Sequence, residues 1–248
     1  MTDLKVNIAG FIFLIHARYP DLPERCRDYV TDAKGADLEI AISDEEIAYE
    51  REKARREAEL EAIPCEEYTP GQLEETAVYR KIAVYLSYQD ACVFHGALIG
   101  LHGQGYLFTA KSGTGKTTHI RNWVQEFPET IIVNGDKPVL RMRNGRLMAY
   151  GTPWAGKEGY QENMAVELKA VILLKRGMDN RIRKLDFASA FPVLVSQTYR
   201  PEDGFGLKRV VELAGKMAKC TEFYELECTM DPVSARVAYA GIRDCDVR

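Results

Sequence analysis

The chain has 248 residues, with 33 Lys+Arg against 37 Asp+Glu, a formal net charge of −4. Hydrophobic residues at 46% and charged residues at 28% suit a globular protein with a full core, and the slightly acidic balance argues against a nucleic-acid or anionic-membrane binder, which would carry a basic excess. No apolar run approaches the ~18 residues of a membrane span, the N-terminus lacks the basic-then-apolar order of a signal peptide, and six scattered cysteines show no zinc spacing, so the sequence predicts reduced thiols in a cytoplasmic protein.

Apolar positions alternate around Ala9-Gly10 and predict a hairpin, Leu4–Ile8 then Phe11–His16. A loop punctuated by Pro20 and Pro23 leads to a short strand at 36–42. Ser43, with Glu46 three residues on, forms a capping-box pattern. The helix that it opens, 44–62, is nearly all charge: residues 44–61 hold eight acidic and four basic side chains, a net −4. It reads as a solvated helix joining two parts of the protein, or as an acidic docking surface. Thr69-Pro70 with Gln72 starts a second helix, reaching to about 88, with Leu73, Ala77, Val78, Ile82 and Leu86 on its buried side. Residues 1–90 are thus expected to form an α+β region that packs on a core made by 91–248.

Cys92–Leu101 reads as one strand, turned by His102-Gly103-Gln104 into a second, Gly105–Ala110. A helix is predicted from Lys116 to about Glu126, followed by a short apolar strand, Thr130–Val133. Asn144-Gly145 between Val139–Arg143 and Arg146–Tyr150 is a two-residue hairpin signal. A loop rich in Gly, Trp and Lys spans 151–163, a strand spans 168–174, and Arg181–Leu185 is expected to pair with it. Helices at 186–199 and 205–219, a strand at 222–228 and a helix from Pro232 complete a mixed α/β reading with many antiparallel strands.

The chemistry is concentrated in Ala110-Lys111-Ser112-Gly113-Thr114-Gly115-Lys116-Thr117-Thr118. This is P-loop spacing, G-x-x-x-x-G-K-[ST], with Ala110 in place of the first glycine. A strand enters and a helix leaves. Gly113 and Gly115 let backbone N–H groups turn inward around phosphate oxygens, and the helix N-terminus adds its positive dipole end. Ser112, Gly113, Thr114, Gly115, Lys116, Thr117 and Thr118 are therefore the nucleotide-binding candidates. Lys116 is expected to reach the β/γ-phosphates, and the Thr117 hydroxyl to bind Mg²⁺. A P-loop needs a carboxylate at the end of a nearby strand, and Asp136, just past the apolar Ile131-Ile132-Val133, supplies it. It also reads as a turn Asp in Asn134-Gly135-Asp136. His119, one turn into the helix, reads as a packing or solvated residue. In the 151–163 loop, Trp154 and Lys157 read as a lid over nucleotide or acceptor, or as a surface loop pinned by a partly buried Trp. Arg176 and Arg200 are further candidates for transition-state charge, although strand and helix ends collect arginines anyway.

These residues resemble the catalytic domain of HPr kinase/phosphorylase, within the phosphoenolpyruvate-carboxykinase-like group of P-loop proteins. Phe94-His95-Gly96-Ala97-Leu98-Ile99 resembles that family's His-Gly strand, the 105–117 stretch its P-loop, and Ile132-Val133-Asn134-Gly135-Asp136 its apolar strand ending in two aspartates. The whole chain is also similar to bacterial HPr-kinase-like proteins of unassigned substrate, through Asn134-Gly135-Asp136-Lys137-Pro138 and Tyr150-Gly151-Thr152-Pro153-Trp154-Ala155-Gly156-Lys157. The resemblance implies an α/β fold built on a P-loop core of this type, with mixed, largely antiparallel sheets and flanking helices. It implies ATP and Mg²⁺ as cofactors, His95 near the phosphates, and Asp136 as metal ligand, general base, or both. A homo-oligomer is implied too. One aspartate of the pair is Gly135 here, which puts the reverse, phosphorolytic reaction in question and makes a restored Asp at 135 the natural repair.

The expectation is an ATP-dependent kinase acting on a hydroxyl acceptor carried by a peptide, protein or small molecule, with neither nucleic acid nor membrane as partner. Catalytic candidates are Asp136, Lys116 and His95; metal candidates are Thr117 and Asp136; substrate candidates are Trp154 and Lys157. The rival expectations are a regulatory nucleotide binder with weak or no phosphotransfer, motivated by Gly135, and a P-loop NTPase.

Overall fold

A computed structural model of the protein describes residues 1–111 and 113–246, with side chains through Arg243. The chain divides into two compact units, Met1–Tyr85 and Leu86–Arg248.

In the first unit, β1 (Thr2–Ile8) and β2 (Phe11–Ala17) form the expected hairpin, in register from Thr2↔Ala17 to Ile8↔Phe11. Every second residue of β2 is buried, as a strand with one covered face requires. A short helix α1 (Asp21–Arg25) follows, and β3 (Leu38–Ala41) adds in parallel to β2. Helix α2 (Asp44–Leu60) starts on the full capping box: the Glu46 N–H donates to Ser43 Oγ and the Ser43 N–H to the Glu46 carboxylate. Helix α3 (Pro70–Ser87) buries the five apolar residues that its pattern singles out. Its Glu74 is 1% exposed and accepts the N–H groups of Arg18 and Tyr19, which fixes the chain where it leaves β2.

The second unit begins with β4 (Ala91–Val93), β5 (Ala97–Leu101) and β6 (Gln104–Thr109). Here the sequence reading of a single strand over 92–101 is corrected. The chain breaks at Phe94–Gly96 because those three N–H groups go elsewhere: Phe94 donates to Pro138 O, His95 to Gln197 O and Gly96 to Asp136 O. β4 then pairs with a distant hairpin while β5 pairs with β6. Helix α4 (Lys116–Glu126) and β7 (Ile131–Asn134) follow, then the hairpin β8 (Val139–Arg143)/β9 (Arg146–Tyr150), turned at Asn144 and Gly145 with φ of 52° and 77°. The long β10 (Ala165–Arg176) precedes β11 (Arg181–Leu185), α5 (Phe187–Gln197), α6 (Gly204–Met217), β12 (Glu222–Cys228) and α7 (Val233–Asp246). β11 pairs antiparallel with β12, not with β10 as expected from its position. β12 has inserted between them, in parallel to β10.

The sheet order is β4-β8-β9-β10-β6-β5-β7, with β12 and β11 also hung from β10. β6, β10 and β12 run parallel, and β5 is antiparallel to both β6 and β7. The carboxyl ends of β6, β7, β10 and β12 therefore share one edge of the sheet. The strand period of two separates two cores. Ile99, Phe108 and Ile172 point with α4 and α7 into one, while Leu98, Leu107 and Val171 point with α5 and α6 into the other.

Beneath α4 the first core holds a polar knot. Trp123, fully buried, donates its indole N–H to His119 Nε2 at 3.0 Å, and His119 Nδ1 faces Ser234 Oγ of α7 at 3.4 Å. Asn122 donates to Met230 O and to the same Ser234 Oγ. His119 is thus a packing residue, neutral because Nε2 must accept. Burial pushes its imidazole down to about 4 from 6.5. As pH falls the unfolded chain takes up this proton first, so stability is full above 6.5 and is lost between 6.5 and 4. The expected loss is on the order of 3 kcal/mol. Urea unfolding at pH 7 and pH 4.5 checks it: His119→Gln, which still accepts from Trp123, should lose most of that pH dependence. An unchanged dependence in the variant would refute the assignment.

Burial pushes the Cys26 and Cys92 thiols up to about 12, so neither is a nucleophile. The cysteines among the described side chains, Cys26, Cys65, Cys92, Cys220 and Cys228, are free thiols. The Cys245 side chain lies outside them. No helix among the described residues is long and apolar enough to cross a membrane.

Candidate active site

The Ala110–Thr118 segment runs from the end of β6 through a tight loop into α4. Gly113 and Gly115 hold φ of 73° and 118°, where a side chain would be strained. Gly115 caps α4 with no side-chain hydrogen bond among the described residues, and the first N–H groups of a helix have no acceptor within it and carry the positive end of its dipole. Thr114 N–H and Oγ both close back on Lys111 O. Arg176, at the end of β10, reaches over and donates to the carbonyls of Gly113 and Thr114. Its place is thus at the loop's backbone. Ser112, the remaining nucleotide candidate, lies outside the described residues. Thr117 and Thr118 sit half-buried in the first turn of α4.

Three candidates from three chain segments converge beside this loop. Lys116 Nζ lies 3.3 Å from His95 Nε2 and 3.4 Å from Ala110 O. The same His95 nitrogen lies 3.3 Å from Asp136 Oδ1. One ring nitrogen serves one neighbour at a time: protonated it donates to Asp136, unprotonated it accepts from Lys116. Burial pushes the Lys116 ammonium down, Asp136 opposes this, and Lys137 adds to it. For Asp136, burial works against the charge, but hydrogen bonding from His95 and the charge of Lys137 outweigh it and hold the carboxyl well below the usual carboxylate range.

Lys137, next to Asp136 in the chain, joins the site without any sequence pattern that assigns it there. Its ammonium sits 2.6 Å from Asp136 Oδ2, making it the fourth member of the cluster beside Lys116, His95 and Asp136. Its signal was plain adjacency to Asp136, which strand patterning would have sent to the opposite side. A turn reverses that. Asn134, fully buried, accepts the N–H groups of both Asp136 and Lys137 on Oδ1 and donates from Nδ2 to Thr152 O and Oγ1. Thr152 in turn donates to Lys137 O. This closed set of bonds aims Asp136 at the loop and ties it to the 151–163 segment.

That segment packs directly on the Asp136 turn. Gly135 N–H donates to Tyr160 O, and a Cβ built at Gly135 would stand 2.7 Å from Ala155 O. Backbone therefore fills the position where the resemblance implies a second carboxylate, and an Asp at 135 fits only if that backbone shifts. Gly156 lies against Asp136 from the other side. Arg121 of α4 reaches Glu158 at 2.8 Å and Tyr160 Oη at 3.2 Å, so the helix leaving the glycine-rich loop also grips this segment. Of the two substrate candidates, Trp154 is half-buried with its backbone N–H on Thr152 Oγ1, while Lys157 is exposed and makes no ion pair among the described residues.

Among the described residues no group of three or more His, Cys, Asp or Glu could hold a metal ion alone. A hard divalent cation that keeps waters and leans on phosphate oxygens needs only one or two protein oxygens. An ionised Asp136 and the Thr117 hydroxyl fit that demand.

No protein-family model matches the chain, and no curated protein matches it in sequence. Among solved structures the chain is distantly similar to the Hpr(Ser) kinase/phosphatase from Coxiella burnetii, at 11% identity and a TM-score of 0.37, over 62% of this chain and 98% of that one.

Proposed function

We propose that the protein is an ATP-dependent phosphotransferase of HPr-kinase-like type that delivers the γ-phosphoryl group to a hydroxyl acceptor. The observation that carries this reading is the meeting of Lys116, His95 and Asp136 at the mouth of a loop with P-loop spacing. The loop and the first turn of α4 bind the phosphates through backbone N–H groups and the dipole. Lys116 gives up His95 and turns its ammonium to the β/γ-oxygens. His95 Nε2 is then released toward Asp136 and donates to it, which holds the carboxylate in place. Mg²⁺, held by Thr117 and Asp136, would neutralise charge developing on the phosphate oxygens when bound. Asp136 is a weak base, because its partners keep it ionised. Its chief part is to orient the acceptor hydroxyl, which suffices for a loose transfer that needs positioning more than proton removal. Lys137 supplies a second cation beside the transferred group.

A regulatory nucleotide binder is the second reading. The Lys137–Asp136 pair favours it, because it occupies the one carboxylate that transfer requires. Calorimetric titration with Mg²⁺·ATP, followed by ADP release with and without a cell extract as acceptor source, separates the two. The kinase reading expects saturable binding and extract-stimulated ADP release. Binding with no release under either condition would overturn it in favour of the regulatory binder, and release that needs no acceptor would point to an NTPase.

A further inference from the structure

From Lys137 to Lys157 the sequence carries five cations, Lys137, Arg141, Arg143, Arg146 and Lys157, and no acidic residue, in a chain whose net charge is −4. The β8/β9 hairpin gathers the three arginines on one face, because Arg141 and Arg143 are two apart on β8 and Arg143 stands opposite Arg146 on the last rung. Like charges placed directly across a rung repel each other. Glu167 relieves one of the pair, meeting Arg146 at 3.2 Å, while Arg143 is exposed and makes no ion pair among the described residues. Beside them lies a groove of about 410 Å³ that runs from Arg143 and Arg146 at the hairpin tip, past Met148, to Tyr150 and Ala165. Met148 and Tyr150 are half-buried and give it a floor of thioether and ring.

We infer that this groove docks an acidic peptide segment of the phosphoryl acceptor, with carboxylates on Arg143 and Arg146 and an apolar side chain over Met148 and Tyr150. The inference rests on the phosphotransfer reading above and names its acceptor class, a peptide or protein with acidic residues to one side of the hydroxyl. A guanidinium grips a carboxylate with two parallel hydrogen bonds, so an incoming acid replaces the repulsion across the rung by two attractions. The groove has the shape of an extended segment: from Arg146 to Tyr150 the strand rises roughly 13 Å. Its inner end adjoins the site, because Gly151 and Thr152 come next and the Thr152 hydroxyl donates to Lys137 O. Lys137 then continues the line of cations to Asp136 itself. One ring and one thioether beside two arginines make no track of stacking platforms for a nucleic-acid strand, so the charge complementarity favours a peptide.

The test is fluorescence anisotropy on the full chain without nucleotide. The probes are a labelled peptide with a serine and, about five extended residues away, a Glu-Asp-Glu-Leu cluster; its twin with Gln-Asn-Gln-Leu; and a labelled oligothymidylate. The acidic peptide should bind tenfold or more tightly than the other two, and less tightly as salt is added. Arg143→Glu combined with Arg146→Glu should cost tenfold or more. With Mg²⁺·ATP, the double variant should raise KM for the acidic peptide to the same extent and keep kcat within twofold. Acidic and neutral peptides that bind alike, or a double variant that binds the acidic peptide as the native chain does, would overturn the groove and leave the phosphotransfer reading standing. Tighter binding of oligothymidylate would overturn the peptide in favour of a nucleic-acid strand. Docking of the acidic peptide with no phosphate transferred to it and no ADP released with cell extract would support the groove and overturn the phosphotransfer reading instead. If the double variant melts abnormally, Arg143→Gln with Arg146→Gln decides: it should weaken the acidic peptide threefold or more and leave the neutral twin unaffected, and a parallel loss of both counts against the groove.

Discussion

Lys116→Ala is expected to lower phosphoryl transfer by about a thousandfold or more, while the protein melts within a few degrees of its native temperature. A preorganised cation on a transferring phosphate contributes on the order of 10²–10³ in rate, and Lys116 also supports binding. The fold should tolerate the change, because among the described residues the hydrogen bonds of the Lys116 ammonium go to His95 Nε2 and Ala110 O, and truncation removes a half-buried charge. Asp136→Asn completes the comparison. It keeps the shape, drops the charge and frees Lys137. A kinase should lose turnover by orders of magnitude, whereas a regulatory binder should lose only the Mg²⁺-dependent part of its nucleotide affinity. Single-turnover kinetics with titrated Mg²⁺ reads both. Retained turnover in Lys116→Ala would dismiss the mechanism.

Gly135→Asp is expected to damage the site and not to repair it. A Cβ there would stand 2.7 Å from Ala155 O and 3.5 Å from Tyr160 Cβ. A backbone carbonyl cannot rotate away as a side chain does, so the 155–160 segment must shift. Overpacking of this kind costs about 1–3 kcal/mol, and the added carboxylate would be pushed against a carbonyl oxygen. The shift also moves Gly156 from its seat on Asp136. The expected result is a lower melting temperature together with a loss of activity, and Gly135→Ala should reproduce most of the former. A Gly135→Asp variant with native stability and gained phosphorolysis would show that the site has room for a second carboxylate after all.

Local chemistry made much of the fold legible. Asn144-Gly145 fixes its hairpin because a two-residue loop closes well as a type I′ turn, whose φ is positive at both centres, and Asn and Gly are the residues that tolerate this. The Ser43/Glu46 box sets the start of α2, and the glycine-rich loop sets that of α4. What escaped depends on partners far away in sequence. Cys92–Leu101 is apolar but for His95, and nothing within it says that Phe94, His95 and Gly96 bond to Pro138, Gln197 and Asp136. The same holds for β11, whose nearest strand in sequence, β10, is taken by β12. For the site, residue types were readable but their meeting was not. His95, Lys116 and Asp136 come together because β5 runs against both β6 and β7, which puts the start of one strand beside the ends of two others. Lys137 was missed because a turn, which pattern cannot aim, decides where it faces.

β10 spends its outer edge on two customers. Ala165–Glu167 carry three antiparallel rungs to β9, and Ala170–Arg176 carry seven parallel rungs to β12. The sheet thus forks at Lys169, and two ribbons hang from one strand. In mechanical terms β10 is a spine with a short branch and a long one. The short branch leads through β8 and β9 to the Asp136 turn, and the long one ends at Arg176 on the loop carbonyls. The Asp136 turn is thus anchored from two directions, through β8 and β9 to the three-rung branch and through β7 to β5, whereas the glycine-rich loop hangs on β6, which borders the opposite edge of the spine by six rungs.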